Sequence, residues 1–108
     1  MPVIAKVLIS GTTLPTSLGT APYTATGVTT IIDKFTATNY SGGAVTVTVY
    51  LSGTGSDSLI VKSHSLASNE TYTFPEITGH ILAASGYIQA IASAGSSVTI
   101  RASGREIS

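Results

Sequence analysis

The sequence predicts an all-β protein, a single antiparallel β-sandwich domain of about eight strands over residues 1–108. Thr, Val, Ile, Ser and Gly dominate the chain, and apolar residues recur at every second position instead of with the 3.6-residue period of a helix. Turn-forming clusters separate the alternating segments at the spacing of about 8 to 12 residues that is typical of a sandwich. We expect either a jelly-roll or an immunoglobulin-like strand order.

Each predicted strand is an alternating segment bounded by turn-forming residues such as Gly, Ser, Asn and Pro. The predicted strands are Val3–Ile9, Ala21–Ala25, Thr29–Thr38, Ala44–Leu51, Leu59–His64, Glu70–Phe74, Tyr87–Ala94 and Val98–Ser103.

The first segment, Pro2–Ile9, has two possible uses. It could complete the protein's own sheet, or it could add a strand to a neighbouring subunit, because an unpaired strand edge is a template for pairing. The sequence favours the two possibilities equally.

The third segment breaks the alternation. Ile31, Phe35 and Ala37 fall on one face, and simple alternation places Asp33 on that same apolar face. Two explanations stay open. A β-bulge near Asp33 shifts the register, or the strand lies at a sheet edge and its carboxylate points at solvent.

Alternation is clearest in the fourth segment. Val45, Val47 and Val49 share one face, and the opposite face carries the hydroxyls of Thr46 and Thr48 without any charge. The apolar face is therefore expected to line the core. The predicted core residues are Phe35, Val45, Val47, Val49, Ile88 and Ile100.

Two connections near the C-terminal end carry further predictions. The short link Ala94-Gly95-Ser96 predicts that the last two strands form a hairpin. Residues 75–86 contain Pro75 and Gly79 and predict a turn-rich crossover between strands. The apolar residues expected to plug one end of the sandwich from this crossover are Ile77, Ile81 and Leu82.

Charged residues make up only 9% of the chain, against about 25% in an average soluble domain, and five cations balance five acids. The scattered cations, Lys6, Lys34, Lys62, Arg101 and Arg105, do not form the cluster that phosphate binding needs, so no nucleic-acid partner is expected. No apolar run reaches the ~20 residues of a spanning helix, so no membrane segment is expected. The chain has no cysteine, which excludes disulfides and thiolate chemistry.

No residue pattern points to catalysis, a cofactor or a metal. His64 is predicted to be a solvent-exposed strand residue, and His80 to hydrogen-bond backbone in the crossover. Two histidines without a spaced Asp, Glu or Cys form no metal signature. The G-x-S-x-G turn of a serine nucleophile is absent, and the glycines of Ser52–Ser58 are expected to form a hairpin loop. We therefore expect a protein that is not an enzyme.

The uncharged strand face suggests a contact surface. Thr and Ser cost less to desolvate and to order than Lys or Glu, which suits a surface that lies against neighbouring subunits. The alternative is that the threonines reflect β-propensity on an exposed face. The candidate assembly residues are Thr46, Thr48, Tyr50, Arg101 and Arg105.

Two stretches, DKFTATNYSGGAVTVTVYL and SLASNETYTFPEITGHILAASGYIQAIASAGSSVTIRASGREIS, resemble the small β-sandwich virion proteins of tailed bacteriophages. The resemblance covers residues 33–108. It implies a non-enzymatic component of the virion, assembled in the bacterial host cytoplasm, and a capsid decoration or cement protein is the favoured role. It also implies the major capsid protein and copies of the chain itself as partners.

Other roles remain open at this point. The chain could be a tail, neck or baseplate component of the same kind of particle. It could instead be a module of the same fold that binds a carbohydrate or the host surface, with the loops Ser52–Ser58 and 76–86 as its binding site. Gene position and copy number per particle discriminate these roles.

Overall fold

The structure is a computed structural model that describes residues 3–17, 19, 21–53 and 55–108. Pro2, in the predicted first segment, and Thr54, in the predicted hairpin loop, lie outside the described residues. The strands are β1 (Val3–Thr13), β2 (Tyr23–Thr24), β3 (Thr29–Asn39), β4 (Val45–Leu51), β5 (Leu59–Leu66), β6 (Thr71–Thr73), β7 (Ile81–Leu82), β8 (Tyr87–Ala92) and β9 (Val98–Ile107). Over these residues the only helical segment is a 3-10 turn at Ser56–Ser58. None of the helical structure described is long and apolar enough to cross a membrane.

Two antiparallel sheets form the sandwich. One sheet has the order β1-β9-β3-β6, with β7 also paired to β3, and the other has the order β2-β8-β4-β5. Successive strands β1 to β4 alternate between the two sheets, and β1 pairs with β9 instead of β2. This order is that of a jelly roll, so the structure decides between the two predicted sandwich types.

The eight predicted strands are all present, and the prediction of an all-β sandwich is confirmed. The paired strands β1 and β9 run four residues longer than predicted at their C-terminal ends, to Thr13 and Ile107. The prediction missed β7, a two-residue strand inside the expected crossover.

The predicted hairpin at Ala94-Gly95-Ser96 is wrong. The strands β8 and β9 lie in different sheets, so this connection crosses from one sheet to the other. Each strand takes distant partners: β8 pairs with β2 and β4, and β9 pairs with β1 and β3.

The irregularity near Asp33 is a β-bulge. The register between β3 and β9 shifts between Ile32 and Lys34, so Asp33 and Lys34 both face outward while Ile32 and Phe35 are buried. The alternative of an edge strand is wrong, because β3 has a partner on each side. Opposite the bulge the backbones come close: a Cβ at Gly104 would overlap the carbonyl oxygen of Ile31, so only glycine fits there.

The core lies between the sheets and contains every residue predicted for it. The fully or almost fully buried members of that set are Phe35, Val45, Val47, Val49, Ile88 and Ile100. At one end of the sandwich Ile77 and Leu82 are buried as predicted. The prediction that Ile81 also plugs this end is wrong: its side chain is 65% exposed, because its Cα partner in β3 is the outward-facing Ile31 and it shares that face.

Asn39 joins the two sheets at the end of β3. Its Nδ2 donates to the carbonyls of Gly43 (2.8 Å) and Leu66 (3.0 Å), and its Oδ1 accepts from the amide and hydroxyl of Ser41 (2.9 and 2.6 Å). The side chain is fully buried and uses its donors and acceptor inside the protein. It fixes the turn after β3 and ties that turn to the end of β5.

Candidate assembly surfaces

The structure places the five predicted assembly residues on opposite faces of the sandwich. Thr46, Thr48 and Tyr50 lie on β4, on the outer face of the four-stranded sheet, and are half-buried. Arg101 and Arg105 lie on β9, on the outer face of the other sheet, and are exposed. The five residues therefore belong to two separate surfaces.

On the four-stranded sheet the hydroxyls of Thr48 and Ser93 already accept hydrogen bonds from backbone amides. The Oγ1 of Thr48 accepts from the Ser63 amide at 3.0 Å, and the amide of Thr46 donates to Ser93 Oγ at 2.9 Å. Thr46 and Thr48 line a shallow depression of about 240 Å³ together with Thr16, which lies in the connection after β1. This face carries hydroxyls and no charge at the depression, but part of it is covered by the chain itself.

The outer face of the five-stranded sheet carries a row of threonines that the sequence analysis missed. The Cα register aligns Thr13 with Thr99, Thr99 with Thr38, and Thr38 with Thr71, so the row crosses β1, β9, β3 and β6. The Oγ1 atoms of Thr38 and Thr71 are 2.9 Å apart. The sequence contains a Thr-x-Thr repeat in both β3 and β6 that could have indicated this row. The repeat does not show which threonines are neighbours, because that depends on how these distant strands pair. We call these four residues the threonine row.

Beside the threonine row lies a second depression, of about 280 Å³, with two cations at its border. Lys34 and Arg101 line it with Val7 and Ile9 of β1. The guanidinium of Arg101 lies against Gly11, whose φ of +112° is a backbone conformation that suits glycine. Apolar and cationic groups therefore meet at this point of the sheet.

Arg105 is paired within the chain. Its Nε and Nη2 donate to the two carboxylate oxygens of Asp33 at 3.0 and 2.9 Å, a bidentate pair on the outer face. Asp33 faces outward because of the bulge in β3. A contact that used Arg105 would have to compete with Asp33, so Arg101 is the more accessible of the two predicted arginines.

The prediction that His64 is a solvent-exposed strand residue is wrong. The register of β5 against β4 shifts between Val61 and His64, where Ser63 has a φ of +52°, and this irregularity turns the imidazole inward. The ring is half-buried, stacks on Tyr72 at a centroid distance of 4.2 Å and meets Phe74 edge-on at 5.4 Å. His64 therefore helps to close the sandwich between β5 and β6.

His80 and the two candidate binding loops lie at the surface. The side chain of His80 is exposed, while its backbone amide donates to Ile77 and its carbonyl accepts from Ile32. The loop after β4 adjoins the end of the 76–86 segment, since the Ser52 amide donates to the Tyr87 carbonyl at 2.7 Å. Within the described ranges no three His, Asp or Glu side chains are grouped so that they could hold a metal ion.

A polar contact joins the sheets near the start of β1. The hydroxyl of Tyr23 donates to Glu106 Oε2 at 2.6 Å and is 2.7 Å from Thr30 Oγ1, while Lys6 Nζ is 3.3 Å from Glu106 Oε1. Burial, together with the hydrogen bond and charge of Glu106, raises the pKa of Tyr23 to about 12. The hydrogen bond from Tyr23, helped by Lys6, lowers the pKa of Glu106.

These shifts predict a loss of stability in alkali. Because folding raises the pKa of Tyr23 above the ordinary value of about 10, its contribution is complete below about pH 10 and is lost as the pH rises towards about 12. We expect the urea midpoint of the wild-type chain to fall more steeply over this interval than that of the Tyr23→Phe variant. Parallel curves for the two proteins would contradict the assignment. The contribution of Glu106 has the opposite sign and is lost as the pH falls through its lowered pKa.

A scan against protein-family models and searches of curated proteins and of solved structures returned no match for this chain.

Proposed function

We propose that this chain is a non-enzymatic structural protein of a bacteriophage particle, and that it is a capsid decoration protein that stabilises the head shell. The observation that carries the proposal is the threonine row, a neutral strip across four strands of one outer face. It adds to the resemblance of residues 33–108 to small virion proteins. The proposed partners are the major capsid protein and other copies of the chain, in a virion assembled in the host cytoplasm.

Such a strip suits a surface that must be buried many times in one particle. Thr side chains lose little rotamer entropy on ordering, and their hydroxyls can exchange water for hydrogen bonds with a neighbour. Two of the chain's cations are already neutralised, Lys6 by Glu106 and Arg105 by Asp33, which limits repulsion between copies. Docking through this face would therefore depend on burial and neutral hydrogen bonds.

The fold supports the proposal by analogy. Jelly rolls occur in viral capsid proteins and also in lectins, so the strand order is compatible with a decoration protein and with a carbohydrate-binding module. The proposal favours the capsid role because the threonine row extends across four strands of a sheet face, whereas small ligands bind in concave sites with a few convergent polar groups.

The test compares the melting of phage particles prepared with and without this chain, in low salt and in about 0.5 M salt, where the Debye length is roughly half its physiological value. A protein that binds only the assembled shell stabilises it by mass action. We expect a higher disruption temperature when the chain is present, and a similar gain at both salt concentrations, because the neutral contacts are not screened.

Two other results would change the proposal. Release of the chain in high salt would show that charges hold the interface, with Arg101 and Lys34 as the residues to test first. An equal disruption temperature with and without the chain would contradict the decoration role. The function would then be sought in the tail, neck or baseplate, or in host-surface or carbohydrate binding through the loops Ser52–Ser58 and 76–86.

A further inference from the structure

The strand β1 has a free edge. It pairs with β9 on one side, and no other described strand pairs with it on the opposite side. Its side chains are unusually apolar for an exposed edge: Val3 is 56% exposed, and Ile4 and Val7 are each 57% exposed. A long apolar edge with open N–H and C=O groups is a template for pairing with another strand.

The regular part of this edge is short and well defined. The antiparallel register with β9 runs without interruption from Val3 opposite Ile107 to Val7 opposite Ser103. Beyond Val7 the register shifts twice, between Val7 and Ile9 and between Ile9 and Thr12. A straight partner strand can therefore pair with residues 3–7, and the middle residue of that segment is Ala5.

We propose that β1 pairs antiparallel with β1 of a second copy of this chain, about a two-fold axis that passes through Ala5 and runs perpendicular to the sheet. Rotation about such an axis keeps each side chain on its own face of the sheet. Because side chains alternate between the two faces, two residues that lie directly opposite each other must differ by an even number of positions in the sequence. Pairing about Ala5 satisfies this condition and uses the whole regular segment. The two five-stranded sheets then form one continuous sheet.

This register matches apolar residues with each other. On the outer face Val3 lies opposite Val7 of the second copy, and Ala5 lies opposite its own equivalent. On the other face Ile4 lies opposite Lys6 of the second copy. Cross-strand neighbours of this kind stabilise a sheet when they are apolar and destabilise it when they carry like charges.

The alternative registers are less favourable. A two-fold axis through Lys6 would place the two lysines directly opposite each other. An axis through Val7 would bring the irregular stretch after that residue into the pairing. Ala5 is the one centre about which all of residues 3–7 pair with each other.

Lys6 is the only charge on β1, and a lysine on an edge strand commonly prevents pairing. Here its Nζ is 3.3 Å from Glu106 Oε1 of the same chain. In the proposed register its aliphatic stem lies beside Ile4 of the second copy, and the ammonium group can stay in contact with Glu106 and water. Because of this ion pair, Lys6 opposes pairing of β1 with another strand less than an unpaired lysine would.

This dimer is a specific form of the self-association that the proposed function includes. The inference rests only on that part of the proposed function. A single strand pair covers less than the ~1,200 Å² of a standard stable interface, so we expect a micromolar dissociation constant. The test uses purified protein without particles. A chain that does not dimerise would leave the particle-melting prediction unaffected, and a negative particle-melting result would leave the dimer prediction unaffected.

Sedimentation velocity from about 1 µM to about 1 mM should show a reversible dimer of the wild-type chain. The double variant Val3→Lys with Val7→Lys places like charges opposite each other and should weaken the dimer at least about tenfold. The matched variant Val3→Glu with Val7→Lys places opposite charges there and should keep the dimer. Both pairs of substitutions are at exposed positions, so unchanged melting temperatures provide the control for folding.

Cysteine substitution tests the register directly, because the chain has no cysteine of its own. At the two-fold axis the Cβ atoms of facing residues are about 5 Å apart, so Ala5→Cys should form an intermolecular disulfide on mild oxidation. Val3→Cys and Val7→Cys should crosslink much more slowly, because each lies about 13 Å along the strand from its own equivalent. A wild-type chain that stays monomeric to about 1 mM, a dimer that survives the two lysines, or equal crosslinking of all three variants would each overturn the proposal.

Discussion

Replacing Val47 with Asp should abolish folding. Val47 is fully buried in β4, in the middle of the core, and its Cα partner on one side is Ala92 of β8 and on the other His64 of β5. No Lys or Arg is among the buried residues described, so an ionised carboxylate there would have no permanent cation to pair with, and the cost of burying it exceeds the ~5 to 15 kcal/mol that stabilises a domain of this size. Circular dichroism and thermal melting of the purified variant measure the effect.

The neighbouring substitution Thr46→Asp is the matched control. Thr46 is on the same strand but faces outward, so the same carboxylate would remain hydrated and should change the free energy of unfolding by less than about 1.5 kcal/mol. If Val47→Asp melted cooperatively near the wild-type temperature while Thr46→Asp was unfolded, the assignment of inner and outer faces on β4 would be inverted.

The sandwich could be predicted from the sequence because its signal is local. Alternation between Val and Thr on β4 and turn residues between segments depend on nearest neighbours only, and the burial pattern of β4 follows that alternation. The bulge at Asp33 was also visible locally, as a break in the period of two. These features need no knowledge of which strands pair.

The hairpin prediction failed because strand pairing is not local. A short turn at Ala94-Gly95-Ser96 is compatible with a hairpin within one sheet and with a crossing between two sheets. The choice is made by distant partners: Ala92 pairs with Val47, and Val98 pairs with Asn39. Nothing in the turn itself encodes those contacts.

The candidate surfaces were only partly predictable for the same reason. Alternation in the sequence predicted that Thr46 and Thr48 face outward. The threonine row could not be predicted in this way, because its recognition requires the register of four strands that are far apart in the sequence. The inward turn of His64 depends on an irregularity at Ser63, which has no side-chain signature. The free edge of β1 became visible only when the strand order was known.

Replacing Asn39 with Ala should cost about 2 to 4 kcal/mol of stability, because the Leu66 carbonyl loses its side-chain donor, the Gly43 carbonyl loses one of its two, and a buried cavity forms. The amide of Asn39 bridges Gly43 and Leu66, and the Leu66 contact lies in the interior. Asn39→Asp tests the donors alone, since it keeps the shape and the acceptor for Ser41 but turns a carboxylate towards the two carbonyls. We expect this variant to be at least as unstable as Asn39→Ala at neutral pH.

Ser41→Ala separates the inter-sheet contact from the local turn. It removes a hydroxyl that lies within hydrogen-bond distance of both Asn39 Oδ1 and the Gly43 carbonyl, and it leaves the bonds from Asn39 Nδ2 to Gly43 and Leu66, so a loss of about 1 kcal/mol or less is expected. Urea unfolding at equal protein concentration measures all three variants. Equal losses for Ser41→Ala and Asn39→Ala would mean that Asn39 acts only through its turn. A much larger loss for Asn39→Ala would show that its bond to Leu66, between the end of β3 in one sheet and the end of β5 in the other, helps to hold the two layers together.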